Sequence, residues 1–217
     1  MKGLLGLLKL STAMQVEAGD TGSAGSTNSE FFSTAFSDQG LDPAMLVPWE
    51  ARANEVGAKR LSASRGSQLL KLLWAGDKYM ARLASDATVA RLEKFFDFAT
   101  LPANRDVIRQ DEYSNFMLVL LTGSIAVDRE QPWGDRLRLT EARPGDILGE
   151  MSLLDSGIRF SVCTSLTDCE IAILSAQALD DMMTSDPTLA ASLIALLARK
   201  LSWRLRLVSA RLNEKKF

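Results

Sequence analysis

The chain has 217 residues, 47% hydrophobic and 24% charged, which is apolar material for one sizeable core. Its 25 Lys and Arg against 27 Asp and Glu leave a net charge of −2, so no global field draws it to nucleic acid or an anionic membrane. Histidine is absent, which removes the commonest general base, the usual zinc and haem ligand and every Ser-His or Cys-His nucleophile pair; no catalytic residue, no metal site and no enzymatic activity are expected.

Residues 1–10 form a short apolar peptide carrying Leu4, Leu5, Leu7, Leu8 and Leu10, interrupted by Lys9 and too short to span a bilayer. No transmembrane segment is expected. Residues 11–48 read as a flexible acidic linker, because six Ser, four Thr and four Gly fall between Ser11 and Gly40 and no Lys or Arg occurs between Lys9 and Arg52. An apolar tip on such a tether suits docking to a protein partner. Residues 49–97 read as a helical extension: Leu69, Leu70, Leu73 and Met80 recur at helical spacing, then Val89, Leu92, Phe95 and Phe96 after the cap candidates Ser85 and Asp86.

Near Leu101 the period changes, and short β-rich runs follow at Val107–Arg109, Phe116–Asp128, Arg136–Glu141, Phe160–Thr167 and Glu170–Leu174, with Pro- and Gly-containing turns between them. Strands at this spacing suggest a small antiparallel barrel or jelly roll. From Ser175 the pattern returns to helix, and a long helix opens at Asp186-Pro187, an N-cap followed by proline at the first helical position. Its Leu189, Leu193, Leu197, Leu201, Leu205, Val208 and Leu212 form a seam longer than one small barrel covers, so a partner helix is expected. From residue 186 on, seven Lys and Arg stand against Asp186 and Glu214, a basic helix end. The two cysteines, Cys163 and Cys169, are too few for a disulfide framework and read as small buried side chains in a reducing, cytoplasmic setting.

One stretch carries chemistry, Gly145 to Leu154 followed by Arg159. Gly149 permits close backbone approach, and Met151 to Leu154 can form one helical turn whose first amides converge. Such amides beside a guanidinium make an anion pocket. Glu150, at its mouth, would be repelled by the anion unless it accepts hydrogen bonds from hydroxyls or pairs with an arginine. A phosphate on Arg159 and a sugar hydroxyl on Glu150 satisfies both groups; the plainer reading is a structural turn with a surface ion pair.

The run Leu148-Gly149-Glu150 through Ile158-Arg159-Phe160-Ser161 resembles the phosphate-binding cassette of the cyclic-nucleotide-binding domain family. Val107-Ile108 with Met117–Leu120 and Gly123 is similar to that family's first signature, Thr167–Ala172 to the strand after the cassette, and Leu197–Leu201 to the dimerisation helix of catabolite activator proteins. The resemblance implies an α+β fold: N-terminal helices, an antiparallel β-roll (jelly roll) over 98–217 and a long C-terminal dimerisation helix. It implies a cyclic nucleotide effector, with Arg159, Gly149, Met151 and Ser152 on the phosphate and Glu150 on the ribose.

Phe160 stands where the family prefers a small residue, so its ring is a candidate to fill the nest; Ser161 replaces a common Ala, Ile158 a Pro, and Asp111 a turn Gly. Arg204 and Leu205 occupy the positions that read adenine in the activator proteins. Arginine can pair with guanine acceptors, which admits cyclic GMP or a cyclic dinucleotide beside cyclic AMP. The chain ends five residues after Leu212, so no helix-turn-helix and no direct DNA binding through one are expected. The functional expectation is a cyclic-nucleotide-binding, homodimeric regulatory protein that signals to a protein partner through its N-terminal extension. Its alternative is a ligand-free module whose pocket is self-filled.

Overall fold

A computed structural model describes the backbone of residues 30–214 and the side chains of residues 30–210. Among these, five strands form one antiparallel sheet in the order β1 (Lys59–Arg60), β2 (Asp97–Leu101), β9 (Cys169–Ser175), β4 (Phe116–Thr122) and β7 (Ile147–Leu148). Four more form a second, ordered β3 (Asp106–Ile108), β8 (Val162–Ser165), β5 (Ile125–Glu130) and β6 (Arg136–Ala142). The two sheets pack face to face over Leu101, Val107, Phe116, Leu118, Leu120, Ile125, Ile171 and Ile173. The outer face of the first sheet carries Met117, Val119, Leu121, Ala172 and Leu174, which pack under helices. The middle layer is thus covered on both sides, and β4 shows no exposed alternate positions: six of its seven residues are buried.

This double burial explains why β4 and β5 read as one run in the sequence. With no polar alternation to mark a turn, only Gly123 divides them: its φ is +87°, and a Cβ there would lie 2.5 Å from the Asp168 carbonyl. β1 and β7, of two residues each, and β2, directly after a helical run, leave no periodic signal.

The helical layer comprises α1 (Phe31–Asp38), α2 (Trp49–Val56), α3 (Ala63–Gly76), α4 (Asp86–Leu92), α5 (Glu150–Asp155), α6 (Ala176–Ser185) and α7 (Pro187–Glu214), with short 3-10 turns at Pro43–Met45 and Met80–Leu83. Ser85 caps α4 through the Thr88 amide at 3.2 Å. Asp186 accepts from Leu189 N and from Arg91, and the Arg91 hydrogen bond holds its carboxyl below the usual range. The first half of the α7 seam, Leu189, Leu193 and Leu197, is buried against the chain's own core, which corrects a single continuous seam for a partner. Trp203, Leu205 and Val208 are exposed. Cys163 and Cys169 are both free and buried but lie in different sheets; burial pushes the Cys163 thiol up to about 12. None of the described helices is long and apolar enough to cross a membrane.

The stretch expected as linker to residue 48 is ordered from residue 30 on. Ser- and Thr-rich α1 has no side-chain cap from its own flank. Its cap comes from α6, where buried Asp180 accepts from Phe32 N at 2.9 Å, Ser33 N at 2.8 Å and the Ser33 hydroxyl at 2.7 Å. An eight-residue helix is not stable alone, so this remote carboxylate and the burial of Phe32 and Phe36 hold it. The apolar peptide 1–10 and the remainder of the expected linker, through residue 29, lie outside the described residues.

Asp180→Ala strands those buried donors, at about 1–3 kcal/mol each for an unmet group. The expected result is a lower urea midpoint together with proteolytic cleavage inside 31–48 before global unfolding. Wild-type protection of that stretch would show that Asp180 does not hold α1.

Candidate ligand-binding site

The site is built where β7 hands over to α5. Gly149 makes the turn with φ +79°, and a Cβ there would sit 2.5 Å from Arg159 Nη1 and 3.0 Å from Ile108 Cδ1, so only glycine fits both the backbone and the space. The amides of Glu150, Met151 and Ser152 open α5 and have no acceptor one turn back. The buried Ser152 hydroxyl donates to the Ile158 carbonyl at 3.4 Å, closing the loop on itself.

Arg159 is 2% exposed. Its Nη1 donates to the Gly149 carbonyl at 2.7 Å, and its Nη2 to Ser114 Oγ at 3.0 Å and to the Phe116 carbonyl. The guanidinium lies 4.9 Å from the centre of the Phe116 ring, and its buried Nε has no hydrogen-bond partner. All its hydrogen-bond acceptors are neutral oxygens, and no ion pair joins it to a carboxylate among the described residues; Glu150 and Glu112 act on its charge only at longer range. Burial lowers its pKa to about 10, still charged at neutral pH. A buried cation whose hydrogen bonds all run to neutral dipoles is costly to keep charged.

Glu150, 5% exposed, opens the first turn of α5, and burial raises its carboxyl above the usual range against the opposing charges of Arg204, Lys200 and Arg159. Arg204, reaching down from α7, pairs with Glu150 Oε1 and donates to the Ile147 carbonyl at 3.2 Å. One turn earlier Lys200 pairs with Asp77 at 3.0 Å. Two cations four residues apart therefore lay α7 across the mouth of the site.

Gly149, Glu150, Met151, Ser152, Arg159, Phe160, Ser161 and Arg204, all singled out in the sequence, line one cavity of about 440 Å³. Its remaining wall is largely apolar, with Ile108, Val127, Leu139, Leu207 and Val208. Phe160 does not fill the nest. Its ring is 55% exposed and stacks beneath Arg129, 4.5 Å from the guanidinium carbon. Met151 is half-exposed. Arg204 is engaged with Glu150, not held free for a base. Asp111 has φ +63°, the left-handed conformation for which the family's turn glycine is suited. Sequence reading missed Ser114 and Phe116, which touch Arg159 from 45 and 43 positions away.

The fold and the site together define a β-roll domain with a buried guanidinium beside a helical turn. Residues 98–186 match the model of the cyclic nucleotide-binding domain family. A CRP-like cAMP-activated global transcriptional regulator of Mycobacterium tuberculosis is 27% identical over 115 residues, 53% of this chain and 51% of the relative. The cyclic AMP receptor protein of Thermus thermophilus is 28% identical over 107 residues, 49% of this chain and 50% of the relative. The chain thus spans about half the length of the curated relatives it matches. A cyclic nucleotide-binding domain from Methylobacillus flagellatus superposes with a TM-score of 0.63 at 22% identity, covering 74% of this chain and 90% of that one.

Gly149→Ala forces a strained backbone and drives a methyl group into Arg159, so it is expected to cost more than about 1 kcal/mol and to displace the guanidinium. Chemical denaturation measures the cost, and an unchanged midpoint would mean that this turn is not constrained by Arg159.

Proposed function

We propose that this chain is a non-catalytic regulatory protein that binds a cyclic nucleotide in the β-roll cavity and passes its occupancy to a protein partner. The observation that carries this reading is Arg159: a buried guanidinium with no ion-pair partner among the described residues and an unused Nε, lining the same cavity as the first turn of α5. An anionic phosphate supplies the missing charge and acceptors. Glu150 takes a ribose hydroxyl, and the apolar side chains Leu139, Leu207 and Val208 pack against the base. Because Arg204 is spent on Glu150, the base meets an apolar wall, and cyclic AMP, cyclic GMP and cyclic dinucleotides all belong in the test.

A second reading, a ligand-free interaction module, has one observation in its favour: Arg204 already satisfies one oxygen of Glu150. Thermal unfolding with each nucleotide separates the two. Ligand at 100 times its Kd adds about 2.7 kcal/mol, and Arg159→Lys, which keeps the charge but loses the planar fork, is expected to remove most of that gain. A flat response to the whole panel supports the self-filled module.

The same reading includes a homodimer through the exposed half of α7, where Trp203, Leu205 and Val208 offer an apolar strip, and a cytoplasmic location. Leu205→Glu is expected to shift the chain to monomer in light scattering. A dimer that persists in this variant places the interface elsewhere.

A further inference from the structure

Apart from the Gly149 carbonyl, the partners that hold Arg159 come from one short stretch, residues 111–116. Glu112 O accepts from Arg159 N at 2.8 Å, Asp111 N donates to Arg159 O at 2.9 Å, and Ser114 and Phe116 receive the guanidinium. The opposite side of the same stretch is gripped by the N-terminal extension at four points. The Phe36 ring of α1 meets Tyr113 edge-on at 6.3 Å between centroids, and Val47 N donates to the Tyr113 carbonyl at 2.9 Å. In α2, the buried Arg52 pairs with Glu112, and the Trp49 ring packs on Phe116 at 5.4 Å.

We infer that residues 36–52 of the extension are a positioning element for the ligand site: they clamp 112–116 and thereby hold Arg159 in its binding geometry. Tyr113 is the central positioning residue, with Arg159 bonded to the neighbouring Glu112 and Ser114 and its own carbonyl and ring given to the extension. This rests on the function proposed above and adds a direction to it. A phosphate that tightens Arg159 tightens 112–116, and the coupling runs equally from the extension to the ligand. The output of the domain then leaves through its N-terminal side as well as through α7. None of the four grips is provided by residues 98–186 alone, so the device belongs to the extension of this chain.

The test uses hydrogen exchange on the full chain, followed at the Val47 amide and across 31–38. Saturating cyclic nucleotide is expected to slow exchange there by at least about fivefold, and Tyr113→Ala is expected to weaken binding by a similar factor while leaving the β-sheet amides protected. A merely structural role for Tyr113 would lower sheet protection without a selective change in affinity. Arg159→Lys and Arg159→Ala, each checked for a retained fold by circular dichroism, are expected to speed Val47 exchange in the absence of any ligand. Unchanged Val47 exchange in both folded variants overturns the coupling whatever the ligand does. If the wild-type chain binds no nucleotide, the proposed function fails, and the ligand-free arm still decides the coupling.

Discussion

A positive charge buried without an ion-pair partner is the constraint around which the site is arranged. Arg159 is held by the carbonyls of Gly149 and Phe116, the hydroxyl of Ser114 and the face of an aromatic ring. Each is a dipole or quadrupole, none an ion. Such groups fix a guanidinium's position with hydrogen bonds of modest net worth, about 0.5–1.5 kcal/mol each, or about 1.5–3 where one partner is charged. They do not cancel its charge. Geometry and electrostatics are separated: neutral groups supply the first, and Glu150 and Glu112 act on the second only from a distance.

The carboxylate in the same cavity is treated in the opposite way. Glu150 is buried and paired internally with Arg204, whereas Arg159 lines the same cavity without an ion pair of its own. The Arg204 side chain is 38% exposed, so the pair sits at the edge of the cavity and leaves Glu150 its second oxygen.

Much of this was legible in the amino-acid order, and the failures have physical causes. Gly149, Glu150 and Arg159 were legible because a left-handed turn, a helix start and an arginine lie within eleven residues of one another, so local chemistry announces them. The strands flanking Gly123 ran together because both faces of β4 are covered and period-two alternation vanishes. The helix α1 was hidden by composition: its Ser and Thr read as linker, and the carboxylate that caps it lies 148 positions away. Ser114 and Phe116 were illegible for the same reason, since a hydroxyl and a carbonyl acquire their role only when the roll closes. Phe160 was misjudged in the other direction. A bulky ring beside a phosphate site is an obstruction only if it turns inward, and Arg129 gives it a surface partner instead.

The long terminal helix divides its apolar residues between two kinds of neighbour. Up to Leu197 they belong to the chain's own interior, while Trp203, Leu205 and Val208 face outward. A subunit so constructed is complete before it meets another. In the proposed dimer, association and dissociation would proceed between finished bodies, at rates set by collision and surface fit, and dilution would separate copies without melting them.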